Sequence, residues 1–449
     1  MRRHELDMTH GKIWPVLLAF TGPLLLENLL QLLYNTADSV VVVRFVGISA
    51  LAAVSATTQI CGMLVRFFNG TATGAGVVIS QSFGAKDEKR LHSAIQTTLV
   101  LTFIACAGLT VIGVGSSRWL LEKMSTPSDV FDEADLYLKI YFGGISGLLV
   151  YNMGGAVLRA MGDTQRPLML LIFCSILNII LDLVFVLYFH WGIAGVAIAT
   201  ILAQGISAVL VLYVIASSTG ALKNLRMNNF LAGRILQIGL PFGIQMAIVA
   251  FSNVFVQGYI NYFGTAVIAG WGIYAKLDQY VILPLQSMGQ AVATFTGQNI
   301  GAGNDLRVRQ GTRTALAMTI GISIIAVVVL CVCAPGLSSL FSPDEMVISY
   351  GAMFIRLCVP FAVVYCFSQI YAGALRGEGI SQITMILSIC AYVIFRQVYL
   401  YIITRIIPDN VYVVGFAYPA GWVVCAVLIT IYYVYRQKKG RQQKHYASI

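Results

Sequence analysis

The sequence predicts an all-α integral membrane protein, and three observations carry that expectation. Of 449 residues, 58% are hydrophobic and only 11% charged, and the mean hydropathy is +0.80, whereas a soluble domain is about 25% charged. Long apolar segments recur between polar or Gly/Pro breaks, and a helix needs about 20 such residues to cross a bilayer. The chain also repeats itself at half its length. The excess of 29 Lys+Arg over 19 Asp+Glu, a net charge of +10, is no argument for a nucleic-acid partner, because on so hydrophobic a chain basic residues belong to short cytoplasmic loops.

Twelve spans are expected, at 13–43, 49–83, 91–119, 130–158, 166–189, 191–218, 232–262, 266–300, 307–334, 344–375, 381–406 and 411–436. The first is not read as a cleaved leader: Glu5 and Asp7 precede it, Pro15 and Pro23 interrupt it, and its apolar run continues too far. The second and eighth end in tight turns, GAKDEKR (Gly84–Arg90) and GAGNDLR (Gly301–Arg307). With both termini cytoplasmic, Lys86, Lys89, Arg90, Arg159, Arg166, Lys223, Arg226, Arg307, Arg309, Arg313 and the Arg436–Lys444 tail share that side. Only Arg44, Arg118, Lys123 and Arg405 fall outside, so the positive-inside rule supports cytoplasmic N- and C-termini and an even number of crossings.

The repeat explains the second half. Pro23 matches Pro241 at an offset of 218, and Gly47, Gln81, Gly84, Ala85, Leu158, Arg159, Gly162 and Gln165 match Gly264, Gln298, Gly301, Ala302, Leu375, Arg376, Gly379 and Gln382 at 217. Six spans per half is an even number, so the two lobes share one orientation and are related by a pseudo-two-fold axis along the membrane normal. The expected division is an N-terminal lobe at 1–222, a basic cytoplasmic linker at 223–231 and a C-terminal lobe at 232–449.

Several chemistries have no support. No GxxxxGK[ST] run cradles a nucleotide, so any pumping draws on an ion gradient or another chain. The nine cysteines lie within predicted spans as small apolar packers, the histidines sit near span ends or in the tails, and the Asp129–Asp135 loop lacks metal spacing. Neither an enzyme nor a cofactor is expected.

The informative residues are the acids inside spans, each costing about 2.5–3.5 kcal/mol at mid-bilayer and therefore a functional candidate. They are Glu27, Asp38, Asp182 and Asp278. Glu27, Gln31, Tyr34, Asn35 and Asp38 lie along one face of span 1, and Gln31, Tyr34 and Asn35 are candidate lining residues of a substrate cavity. Asn178 and Asp182 are one turn apart on span 5, and span 6 contributes Thr200. Asp38, Asp182 and Thr200 lie at one depth, about 8–14 Å from the outer ends of their spans at about 1.5 Å per residue. Two carboxylates in one low-dielectric pocket share a proton or hold a cation such as Na⁺. The bland alternative is that each acid merely fixes helix packing. Equal depths also suggest structural ion pairs: Glu27 with Arg66, and Asp278 with one of Arg396, Arg356 and Lys276, Arg396 foremost, with substrate binding as the alternative role of Asp278.

The order Pro23, YNTAD (Tyr34–Asp38), FVG (Phe45–Gly47), LRAMGD (Leu158–Asp163), Asn178/Asp182 and QNIGAG (Gln298–Gly303), with the six-plus-six repeat, resembles the MATE family of multidrug and toxic compound extrusion antiporters, nearest its bacterial DinF- and MepA-like members. The resemblance covers the whole chain. It implies a V-shaped, two-lobed monomer in the lipid bilayer that exchanges amphipathic organic cations for H⁺ or Na⁺. It also implies a cation-coupling site in the N-terminal lobe at Asp38, Asn178, Asp182, Thr200 and the main-chain carbonyl of Val196, with Pro23 as the bend in span 1. The repeat mates of Asp38, Asn178 and Asp182 are Val256, Phe395 and Tyr399, which argues against a second site of the same construction. The alternative is a lipid-linked oligosaccharide flippase of related fold, whose anionic cargo calls for more intramembrane arginines.

Overall fold

The computed structural model describes residues 5–46, 48–124, 126–128 and 130–447, with side-chain placements except at 35, 37–41, 43, 48–53, 55, 56, 58, 59, 223 and 440–447. Among the described residues there is no strand. The long helices of the first half are α1 (Ile13–Val41), α2 (Ile48–Gly84), α3 (Glu88–Lys123), α4 (Phe131–Ala160), α5 (Gln165–Leu183) and α6 (Gly192–Thr219). The second half contains α7 (Asn229–Asn261), α8 (Thr265–Gly301), α9 (Asp305–Val332), α10 (Ala334–Ser339), α11 (Glu345–Cys358), α12 (Ala362–Gly377), α13 (Ser381–Ile389), α14 (Arg396–Ile406), α15 (Val411–Gly415) and α16 (Ala417–Ala447). Short π-helical segments follow α1 at Val42–Val46, α5 at Val184–Tyr188 and α13 at Cys390–Phe395.

Among the described residues, 10 helical segments are long and apolar enough to cross a membrane. Their apolar surface is largely left uncovered by protein: only 28% of the apolar stretch of α3 and 17% of that of α9 is buried, with Val111, Ile112, Ile325 and Val332 pointing outward. Contiguous apolar surface on this scale calls for lipid. The two other long helices are α2 and α8, of 37 residues each. Helix α8 is less apolar because it turns Ser287, Thr296, Gln298 and Asn299 into the protein interior.

Local structure repeats along with the sequence. The bounds of α2 coincide with those of α8 after a shift of 217 residues. Before α3, Lys86 adopts φ 55° and Asp87 accepts a bond from Arg90 N at 3.0 Å; before α9, Gly303 adopts φ 71° and Asn304 accepts one from Arg307 N at 3.2 Å. Each tight turn thus combines a left-handed residue with a side-chain N-cap for the next helix.

The chain divides into two compact units, Met1–Met8 with Ala19–Gly243, and Thr9–Leu18 with Ile244–Ile449. In the first unit α4 packs on α2, α3 and α6, and 67% of its apolar stretch is buried. The division falls inside α7 rather than in the 223–231 loop, because the first half of α7 is held by α2. Gly70 and Gly74 of α2 face Gly243 and Gly239 of α7 so closely that a Cβ at any of the four would approach backbone to under 3.0 Å. This is a small-xxx-small crossing, in which lost side chains let two backbones touch. The preceding loop is bound to α3, where Gln96 Nε2 donates to Ala221 O at 3.1 Å and Thr97 Oγ1 accepts from Asn228 N at 3.1 Å.

In the second unit α8 packs on α9, α11 and α12, and α12 on α16. Trp271 of α8 is the hub of an aromatic cluster, with ring centroids 4.8 Å from Tyr274, 4.9 Å from Phe354 and 5.3 Å from Tyr418. Arg307 at the start of α9 donates to the carbonyls of His10 and Gly11 at 2.6 and 2.8 Å.

Candidate functional site

Within the first unit the ends of α5 and α6 form a buried polar nest. Asn178 and Asp182 are separated by one helical turn, so both side chains leave the same face of α5, and both are buried, as are Val196 and Thr200 on α6. With its amide oriented to satisfy both groups, Asn178 Nδ2 donates to Asp182 Oδ2 at 3.1 Å and its Oδ1 accepts from Thr200 N at 3.3 Å. Thr200 Oγ1 donates to the Val196 carbonyl at 3.0 Å. Asn178 therefore ties the α5 acid to the main chain of α6. The groups gathered are a carboxylate, an amide, a hydroxyl and a main-chain carbonyl: oxygen donors suited to a proton on Asp182 or to a hard cation.

Helix α1 approaches the same region. Its π-helical continuation, Val42–Val46, packs against Val184–Tyr188, the π-helical continuation of α5. Asp38 lies one turn before the first of these segments and Asp182 two residues before the second. The side chains of Asp38 and Asn35 lie outside the described residues. Of the other span-1 candidates, Gln31 is exposed and Tyr34 half-buried. Helix α1 runs through Pro23 as one continuous helix.

Glu27 is in an ion pair, with a partner that equal depth did not indicate. Arg159 Nη1 at the end of α4 donates to Glu27 Oε1 at 2.8 Å, while the expected partner Arg66 presents an exposed side chain on α2. Depth along the membrane fixes height but not azimuth, and an exposed position on α2 is not one that meets the buried acid. Arg159 was visible in LRAMGD and in its match to Arg376, but no spacing rule connects it to Glu27.

The second expected pair, Asp278 with Arg396, does not form. Arg396 Nη2 donates to Ser252 Oγ and Asn253 Oδ1, each at 2.8 Å, and its guanidinium lies 4.8 Å from the ring centroid of Tyr418. The neutral oxygens of α7 and an aromatic face thus satisfy the cation in place of the acid. Asp278 faces Tyr274 one turn earlier on α8, and Oδ1 of this acid has no hydrogen-bond partner among the described residues.

Apolar helices left for lipid to cover, together with an acid–amide nest where two of them end, define a polytopic membrane protein whose ionisable chemistry is buried among its helices. The MatE family model matches two segments, 23–184 and 241–402, which begin 218 residues apart at Pro23 and Pro241 and together span more than two thirds of the sequence. The chain belongs to the MatE family of transporters. It is 30% identical over 392 residues to a Bacillus subtilis protein described as "Probable multidrug resistance protein YpnP", covering 87% of this chain and 88% of the relative. It is 28% identical over 439 residues to "Probable multidrug resistance protein YoeA" of the same organism, covering 95% of each. The fold is also that of a solved MATE in the bent conformation, with a TM-score of 0.91 and 20% identity over 98% of both chains.

Proposed function

We propose that the protein is a secondary active transporter that exports amphipathic organic cations in exchange for H⁺ or Na⁺. The observation that carries this reading is the buried Asp182, bridged by Asn178 to Thr200 on the next helix and located two residues before the π-helical segment that meets the continuation of α1. A carboxylate so enclosed changes its interactions when a proton or Na⁺ arrives, and the helices it joins respond. Asp38, Asn178, Asp182, Thr200 and the Val196 carbonyl form the coupling site, Gln31, Tyr34 and Asn35 line the substrate path, and Pro23 permits α1 to bend.

Helices α2 and α8 are counted as crossings beside the other ten, which makes twelve spans in two six-helix lobes about an axis along the membrane normal, with both termini cytoplasmic in a bacterial plasma membrane. The protein acts as a monomer. The likeness to the two Bacillus multidrug resistance proteins supports the substrate class, and the scarcity of intramembrane arginine disfavours an anionic lipid-linked cargo. Exchange of one monovalent cation for one H⁺ moves no net charge; each further coupled ion adds about 2.3 kcal/mol per 100 mV of membrane potential.

The test is transport in proteoliposomes. Ethidium efflux driven by an imposed pH or Na⁺ gradient, and absent without one, is expected. Movement of lipid-linked sugars alone would overturn the reading.

A further inference from the structure

A groove of about 450 Å³ opens in the second unit where the end of α7 meets the turn between α14 and α15. Four rings line it from the α7 side: Phe255, Tyr259, Tyr262 and Phe263. Phe255 and Tyr259 are one turn apart on the last part of α7 and so share a face, and Tyr262 and Phe263 extend the aromatic lining into the turn that follows the helix. Tyr262 and Phe263 meet edge to face with centroids 5.4 Å apart, while Phe255 and Tyr262 leave more than half of their surface exposed.

The facing wall is a turn shaped by its sequence. Pro408 cannot continue α14. Asp409 adopts the left-handed conformation at φ 57°, which Asp and Asn tolerate better than other side chains. Asn410 then caps α15 by accepting a bond from Tyr412 N at 3.0 Å. This geometry holds the Asp409 carboxylate at the groove, facing the Tyr262 phenol. Among the described residues that line the groove, Asp409 is the only charged one. The nearest cation in sequence, Arg405, lies over the Tyr401 ring at 3.9 Å, and among the described residues Asp409 is in no ion pair.

Aromatic faces carry negative potential and attract cations, most strongly alongside a carboxylate. The volume lies in the range of about 300–1,000 Å³ common to small-molecule sites, which combine apolar walls with few polar groups. We propose that this groove is a binding site for aromatic organic cations, separate from the Asp182 nest, in which the ligand's charge meets Asp409 and its flat rings stack on Phe255 and Tyr259. The ligand class follows from the proposed function; the site does not. A lipid ammonium headgroup offers the same charge but no aryl surface to engage four rings, so the occupant assigned is the free aryl cation.

Ethidium titrated onto the full-length protein in phosphatidylglycerol nanodiscs, followed by fluorescence, is the direct measurement. Asp409→Asn keeps the left-handed turn and removes the charge, and Phe255→Leu removes a stacking face. Each should weaken ethidium binding by about fivefold, and the loss should appear equally in a protein already carrying Asp182→Asn. Superimposable isotherms for the parent and Asp409→Asn would overturn the site. So would abolition of the Asp409 dependence when phosphatidylethanolamine is added, since a lipid headgroup would then own the groove. Asp409-dependent binding in a protein that moves no organic cation across vesicles would leave the groove standing and sink the transport reading alone.

Discussion

Arg159 Nη1 lies 2.8 Å from Glu27 Oε1 and ties the end of α4 to α1. Both side chains are mostly buried, so the pair is shielded from the screening that makes surface ion pairs weak.

Removing one partner leaves a charge in a low-dielectric site. Glu27→Gln and Arg159→Met should each destabilise toward the lower end of about 3–5 kcal/mol, and the double variant should lose far less than their sum. Arg66→Met, at an exposed position, should change little. Asp278→Asn removes a carboxylate that is in no ion pair among the described residues and should leave the melting temperature unchanged or raise it. Thermal unfolding in one detergent compares all five, and additive losses for Glu27 and Arg159 would refute the pairing.

Asp182→Asn retains size and hydrogen-bonding capacity but not the ability to exchange a proton or balance Na⁺. Gradient-driven ethidium efflux should fall more than about tenfold with the fold intact, since typical coupling energies of about 1–3 kcal/mol depend on the differential interaction lost. Thr200→Val removes the hydroxyl that donates to Val196 O and should weaken ion dependence more mildly. Full ion-coupled efflux by a well-folded Asp182→Asn protein would falsify the role assigned to this acid.

The α2/α7 crossing makes a steric prediction. A side chain at Gly74 would strike the backbone of Gly239, and neither helix can yield without shifting as a rod. Gly74→Val should therefore cost about 1–3 kcal/mol. Gly108→Val, where a Cβ meets nothing within 4 Å, is the control. Equal melting temperatures for the two variants would contradict the close approach.

Stability should also respond to pH through Glu378, just past the end of α12. Burial raises its carboxyl above the ordinary range, while Arg436 at 3.7 Å pulls the other way without prevailing. A carboxyl raised in the folded state binds its proton before the unfolded chain does. Stability therefore increases as pH falls through the folded value and levels off below the unfolded value of about 4.3. Glu378→Gln should flatten this part of the stability profile and stabilise the protein at neutral pH. Melting temperature measured from pH 8 to pH 5 tests it; parallel curves for parent and variant would remove Glu378 as the source.

Much of the architecture is local information and could be read directly from the sequence. Length and hydropathy determine which segments can reside in a bilayer, and a Gly or charged residue before the next apolar run determines the turns at Lys86 and Gly303. Periodicity places Asn178 and Asp182 on one face of one helix, because two residues one turn apart can point nowhere else. Azimuth between helices is different: it depends on how whole cylinders rotate and cross. Equal depth therefore suggested Arg66 for Glu27 and Arg396 for Asp278, while packing brought Arg159 to the first acid and gave Arg396 neutral partners on α7. The glycines at 70, 74, 239 and 243 were legible as letters, but only the crossing of α2 and α7 made them a contact. The amide bridge from Asp182 to Thr200 likewise needed the tertiary structure, since hydrogen bonds between helices require a distance and an angle that one-dimensional spacing does not contain.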